Sequence, residues 1–269
     1  MKRLIIAITG LLLLGTSTVY AQGQDFSADH TAEITSQVEV ISGAAQSITE
    51  EMNNISNLAA EYGSIGAEAE TQYDLNMSSQ WPYVVWDTEL NSLWGRLENR
   101  LDAGRMEALR AEELNWITIK EMMAEVALAG YRDGSMYPML LSGENARITR
   151  NRAYYLAAIL AEASGEPFEM PEMDIRGTYV DNQGTDSVYS SLIIEQTMEG
   201  DYIGSLTIYG VIATEGTVTE NGDKLLFTDD LGGLTGEITY GWDGATFTVT
   251  GDPSGILAAG SVYEFPMVI

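Results

Sequence analysis

Forty acidic side chains, thirteen basic ones, a single histidine and no cysteine set the chemistry open to this 269-residue chain. Without cysteine there is no disulfide, no thiol nucleophile, no zinc–thiolate site and no lipid-modified cysteine. A lone His30 supplies neither a histidine metal cluster nor the base of a Ser-His-Asp site. Paired carboxylates for glycoside hydrolysis are the chemistry that composition leaves open, yet no spacing singles out a pair. Asp181-Asn182-Gln183-Gly184-Thr185-Asp186 offers oxygen ligands but departs from the register of a calcium loop, so it reads as a strand connection. No catalytic group, cofactor or metal is expected, and the twelve methionines read as filling for helix faces.

The charge balance says more about partners. A net charge of −27 repels phosphate backbones and excludes nucleic acid. It favours either solubility in salty surroundings or attraction of a basic protein.

The elements that must position any site begin with an export signal. Lys2 and Arg3 precede an apolar run over 4–14, and Val19-Tyr20-Ala21 places small residues for cleavage after Ala21. The run is short for a membrane anchor, which needs about 20 residues. No other stretch is apolar enough to span, so the mature chain is expected outside the cytoplasm, in periplasm or medium. Losing Lys2 and Arg3 takes the charge from −27 to −29.

The mature chain divides into a helical half and a β half. Ile34, Val38, Ile41, Ala45, Ile48, Met52, Ile55, Ala59 and Tyr62 follow a heptad and predict one long helix. Its seam is expected to pack within the chain, with a coiled-coil dimer as the alternative; the oligomeric state is left open. Trp86, Leu90, Leu93, Leu97 and Leu101 mark a second helix, with Ser79 as its cap and Pro82 in its first turn. After a turn at Asp102-Ala103-Gly104, Leu109, Trp116, Ile119, Met123 and Val126 mark a third. Gly130, Gly134 and Pro138 break the chain before a fourth, carrying Ile148, Tyr155, Leu156, Ile159 and Leu160.

Residues 164–174, with two prolines and four acids, read as a linker. Beyond it the period becomes two, with strands expected near 177–180, 189–198, 201–210 and 261–268. Asp243-Gly244 predicts a hairpin pairing Trp242 with Ala245, Tyr240 with Phe247 and Ile238 with Val249. Asn221-Gly222 predicts another, pairing Val218 with Leu225 and opposing Glu220 to Asp223. The expected fold class is α+β in two segregated domains, an antiparallel helical bundle followed by a small antiparallel β-barrel or sandwich. The boundaries are a signal peptide at 1–21, a helical domain at 22–163, a linker at 164–174 and an all-β domain at 175–269.

Within the helical half, residues 86–94, Trp-Asp-Thr-Glu-Leu-Asn-Ser-Leu-Trp, contribute Asp87, Leu90 and Asn91 to a stretch that resembles the "D-x-x-L-N-x-x-Y" motif of the LprI-like lysozyme-inhibitor family. Leu109 to Trp116 resembles its "L-x-x-x-Q-x-x-W" helix, and Lys120-Glu121 sits where the family has Arg-Asp. Thr149, Arg152 and Leu156 resemble its closing "T-x-x-R-x-x-x-L", and Thr71-Gln72 with Leu75-Asn76 its opening "Q-x-x-M-N-x-C". The resemblance covers about residues 68–163. Ser78 and Ala124 stand where the family carries cysteines, so the disulfide it implies is lost as a unit, with roughly 2–4 kcal/mol of cross-link stabilisation. Lys120 keeps the charge of the family arginine without its bidentate fork.

The motif residues Asp87, Leu90, Asn91, Trp116, Lys120, Glu121, Thr149 and Arg152 read as structural. Trp116 is expected in the core, Asn91 as a satisfied buried or capping group, and Arg152 and Asp87 as an ion pair joining helices. The resemblance implies non-enzymatic inhibition of lysozyme, a strongly basic muramidase suited to an acidic binder. The alternative is a cell-envelope interaction or ligand-binding protein whose β domain is the binding module.

Overall fold

The computed structural model describes residues 25–182, 189–197 and 199–269 of the chain. The export signal read at 1–21 lies outside the described residues, as does most of the 181–186 connection. The architecture is α+β: six α-helices among the described residues, then a nine-stranded antiparallel sheet that curls into a nearly closed barrel. None of these helices is long and apolar enough to cross a membrane.

The heptad helix is two helices. α1 (Thr31–Ala44) stops where Ala45 turns extended, at ψ 139°, and α2 (Ile48–Gly66) starts afresh. The break comes from a capping box. Ser47 Oγ accepts the Glu50 N–H at 3.1 Å, while the Glu50 carboxylate accepts the Gln46 N–H at 3.0 Å. The seam nevertheless packs within the chain as expected. Ile34, Val38, Met52, Ile55 and Tyr62 share an apolar cluster with Val85, Trp86, Leu93 and Leu97 of α4 (Trp81–Glu98).

Pro82 sits in the first turn of α4, where its missing N–H leaves no partner unmatched. Ser79 does not cap that helix. It follows the short α3 (Gln72–Ser78), donates to the Asn76 carbonyl at 3.1 Å, and leaves the cap position to Gln80. Asp102 is a cap rather than part of a turn, accepting the N–H groups of Gly104 and Arg105 at 3.0 Å each to start α5 (Ala103–Ala127). The buried face of α5 ends at Met123 and Ala124, and Val126 is exposed. A 3₁₀ turn over Ala129–Tyr131 leads to α6 (Tyr137–Ser164), the central helix, which Gly165 terminates at φ +71°. The 164–174 segment is tied down. Glu166 accepts the Ile48 N–H at 3.2 Å, and Phe168 and Met170 pack on the helical core.

The strands are β1 (Gly177–Asp181), β2 (Ser190–Gln196), β3 (Tyr202–Ile208), β4 (Ile212–Asn221), β5 (Lys224–Asp229), β6 (Thr235–Gly241), β7 (Gly244–Gly251), β8 (Val262–Phe265) and β9 (Met267–Val268). They form a meander from β1 to β8. Pro266 alone separates β8, paired with β7, from β9, paired with β1, so one terminal segment closes the sheet on itself. Closure removes the open edges that an isolated meander would expose.

Both hairpins have a register different from that expected. Asn221 pairs with Lys224, so Gly222-Asp223 form the turn, with Gly222 at φ +69°. Val218 then faces Phe227, and Glu220 faces Leu225 rather than another acid. Likewise Gly241 pairs with Gly244, Ile238 with Phe247, and Trp242-Asp243 form the turn, with Gly244 at φ +116°. In the second hairpin the positive φ falls just after the turn instead of within it, and in both the pairing moves by two residues. A shift of two preserves the face of every side chain, so Ile238, Ala245, Phe247 and Val249 still point inward.

The barrel interior is filled. The rings of Tyr179, Phe227, Phe247 and Phe265 are fully buried, and Phe227 meets Phe247 edge-on at 5.7 Å. Eight strand positions leave an interior that side chains can fill, and these rings occupy the space an apolar ligand would need. Val180 and Ile193 point outward instead. With Ile269 they join the apolar cluster of the helices, so the two halves share one core surface.

Candidate functional site

The family-motif residues come from three helices. α4 supplies Asp87, Leu90 and Asn91; α5 supplies Trp116, Lys120 and Glu121; α6 supplies Thr149 and Arg152. Four of them converge: Trp116, Lys120, Thr149 and Arg152.

Trp116 is buried, as expected. The Lys120 Nζ lies 5.2 Å and the Arg152 guanidinium 5.6 Å from its ring centroid. Cations over an aromatic face gain about 0.5–2 kcal/mol, more as water is excluded. Lys120 Nζ also donates to Thr149 Oγ1 at 3.3 Å and Tyr83 Oη at 3.4 Å. Burial pushes its pKa down, against the upward pull of Asp87, Glu121 and Glu113. A compact ammonium thus reaches two hydroxyls here without the bidentate fork of an arginine.

Arg152 does not pair with Asp87. Its Nε donates to Glu113 and its Nη1 to Glu112, each at 2.7 Å. Glu112 and Glu113 lie four and three residues before Trp116, on the same α5 face. A guanidinium stacked on that tryptophan therefore reaches them first. Tyr155 completes the clamp. Its ring lies 4.7 Å below the guanidinium, and its hydroxyl donates to Glu112 at 3.3 Å. Burial first, then Glu112, raises the Tyr155 pKa, so it stays a donor.

Asp87 is half-buried and accepts from Tyr83 and from Asn91 Nδ2, at 3.5 and 3.3 Å. Asn91 is neither buried nor a cap. It is exposed and bonds back to the Asp87 carbonyl at 2.7 Å, one turn earlier on α4. Leu90 is in the core and Glu121 points to solvent. Ser78, aligned with a cysteine in the resembled motif, is buried and donates to the Gly66 carbonyl at 3.0 Å, tying α3 to the end of α2.

The clamp opens on a groove of about 460 Å³ between bundle and barrel. Glu112, Arg152 and Tyr155 line the helical wall; Val180, Trp242 and Met267 line the barrel wall. Trp242 spans the junction. Its indole N–H donates to the Pro171 carbonyl at 2.8 Å, and its ring lies 6.0 Å from that of Tyr154. Asn182 reaches across to Asn115 at 2.6 Å.

The strongest electrostatic feature lies elsewhere and was not foreseen from sequence. Glu51 and Glu89 are both buried in the bundle and share Arg96, which holds Glu51 with bonds of 2.8 and 2.7 Å. Ser42 donates to Glu89 at 3.0 Å. Burial, then the neighbouring Glu51 charge, pushes the Glu89 pKa up to about 8. A signal existed: Glu89 lies four residues from both Val85 and Leu93 on the apolar face of α4. Carboxylates this enclosed can take up a proton but cannot touch a polymeric substrate. Among the described residues, no group of three acidic, histidine or cysteine side chains could hold a metal ion.

The chain matches the family model described as lysozyme inhibitor LprI over residues 65–156, from the end of α2 into α6. That span contains all eight motif residues and none of the barrel. An uncharacterized protein of Rhizobium meliloti strain 1021 is 31% identical over 109 residues, covering 36% of this chain and 78% of that one. No solved structure matches the chain.

Proposed function

The chain belongs to the LprI lysozyme-inhibitor family through residues 65–156, and from that premise we propose that it is an exported, acidic binding protein that blocks a basic c-type lysozyme without chemistry of its own. The observation that carries the reading is the family match joined to a net charge of −27. Lys2-Arg3, the apolar run over 4–14 and Val19-Tyr20-Ala21 support export, which puts the protein where a cell-wall muramidase acts.

The motif cluster serves this function as scaffold. Trp116, Thr149 and Arg152 are buried, so they hold α5 and α6 together rather than meet a partner, and Lys120 adds α4 through Tyr83. Inhibition of this kind requires only complementary charge and an anchor in the cleft. Binding of the purified mature protein to immobilised c-type lysozyme tests it. Affinity should fall steadily as salt is raised, because exposed charges are screened over about 8–10 Å at 0.1–0.15 M. Cytochrome c, basic but not a muramidase, should bind far more weakly. Equal binding to both would reduce the interaction to unspecific charge attraction.

A further inference from the structure

The exposed apolar side chains of the barrel gather at one end. Successive strands run in opposite directions, so the β3–β4, β5–β6 and β7–β8 connections lie together. Among the described residues, six large apolar side chains of the barrel are exposed. Tyr209, Val211, Leu231, Ile256 and Val262 are at this end, and Ile203 lies toward the other. Leu231 is 97% exposed.

The tips are held in place. The Asp229 carboxylate accepts the N–H groups of Leu231 and Gly232 at 2.9 and 2.7 Å and the Thr214 hydroxyl at 2.7 Å. The Asp252 carboxylate accepts the N–H groups of Ser254 and Leu257 at 2.9 and 2.7 Å, fixing the turn that presents Ile256. These bonds hold both carboxyls below the usual range. The two loops also run close together: a Cβ at Gly233 would lie 3.4 Å from the Pro253 ring. Apolar tips fixed in water gain nothing for the fold, whereas preordering lowers the cost of binding.

Charge selects the occupant. Segments 209–211, 230–234 and 252–261 hold no lysine or arginine and carry Asp230 and Asp252. A second copy at −27 and an anionic bilayer are both repelled, while a basic protein is attracted. The rim also lies outside the apolar cluster shared with the helices, so nothing in the described fold covers it.

We propose that this rim is the apolar anchor that seats in a cleft of a basic protein while the acidic surface steers the approach. The proposal rests on the lysozyme-binding reading and places the contact in the barrel, outside the family-matched helices. Four proteins titrated on immobilised c-type lysozyme test it: wild type, the double variants Leu231→Asp/Ile256→Asp and Leu231→Ser/Ile256→Ser, and a helical control, Leu114→Asp/Ile117→Asp, altering two exposed apolar residues of α5. The aspartates add negative charge, so weaker binding by the rim variant cannot come from lost steering. The rim variant should lose about 30-fold or more in affinity, the scale of a lost hot spot, with unchanged Tm. The helical control should stay within about 3-fold, and Leu231→Ser/Ile256→Ser should repeat the loss without any change of charge. Wild-type affinity in both rim variants, or a loss confined to the helical control, would overturn the rim and leave the lysozyme reading standing. No saturable binding by wild type would overturn both.

Discussion

Glu51 and Glu89 face each other inside the helical bundle with one guanidinium, Arg96, between them. One cation cannot neutralise two enclosed carboxylates, so Glu89 keeps its proton to about pH 8. Its folded pKa is raised above the unfolded value. The stability it contributes is therefore fully present below about pH 4.5 and is lost as pH rises towards 8. Glu89→Gln should remove that loss. The variant's Tm should exceed that of wild type at pH 8 and approach it at pH 5. A Tm difference independent of pH would contradict the raised pKa of Glu89.

Arg152 anchors α6 to α5 through Glu112 and Glu113. Arg152→Ala would leave Glu113 buried without its cation and should cost about 3–5 kcal/mol in urea unfolding. Arg152→Lys keeps the charge but loses the fork and should cost less. A loss below about 1 kcal/mol for the alanine variant would mean that the clamp is dispensable.

Phe247 fills the barrel and lies over Gly236. A Cβ at position 236 would come within 2.3 Å of the ring. Phe247→Ala should cost about 3–5 kcal/mol, and Gly236→Ala should also destabilise by forcing the ring aside. If Gly236→Ala is neutral in thermal unfolding, the ring is not seated there.

Trp242 joins barrel to linker through its 2.8 Å bond to Pro171. We propose that residues 164–174 separate two domains, so a glutamate-specific protease should cut first at Glu169 or Glu172, the exposed glutamates of the segment. Trp242→Ala should speed that cut several-fold by releasing the segment. First cleavage within 235–250 would place the boundary elsewhere.

Much of this was legible in the sequence because it is local. The period-two pattern fixed which side chains face the barrel interior, and a register shift of two residues left that answer intact. Trp116 in the core followed from its place on an apolar helix face. What escaped depended on competition between neighbours. The heptad hid a capping box at Ser47 and Glu50, and periodicity carries no term for a cap. Asp87 and Arg152 have opposite charge, but only the packed helices show that Glu112 and Glu113 reach the guanidinium first. The Glu51–Glu89 pair joins residues 38 positions apart, which no short-range pattern brings together. The apolar rim is scattered over three loops until strand order gathers it at one end.

The most direct test of the central claim is the rate of cell-wall hydrolysis by c-type lysozyme with this protein titrated to saturation at low salt. The account predicts that the rate falls in proportion to complex formed, levels off near one molecule of this protein per enzyme, and recovers when salt is added. Hydrolysis continuing unchanged in the saturated complex would contradict it.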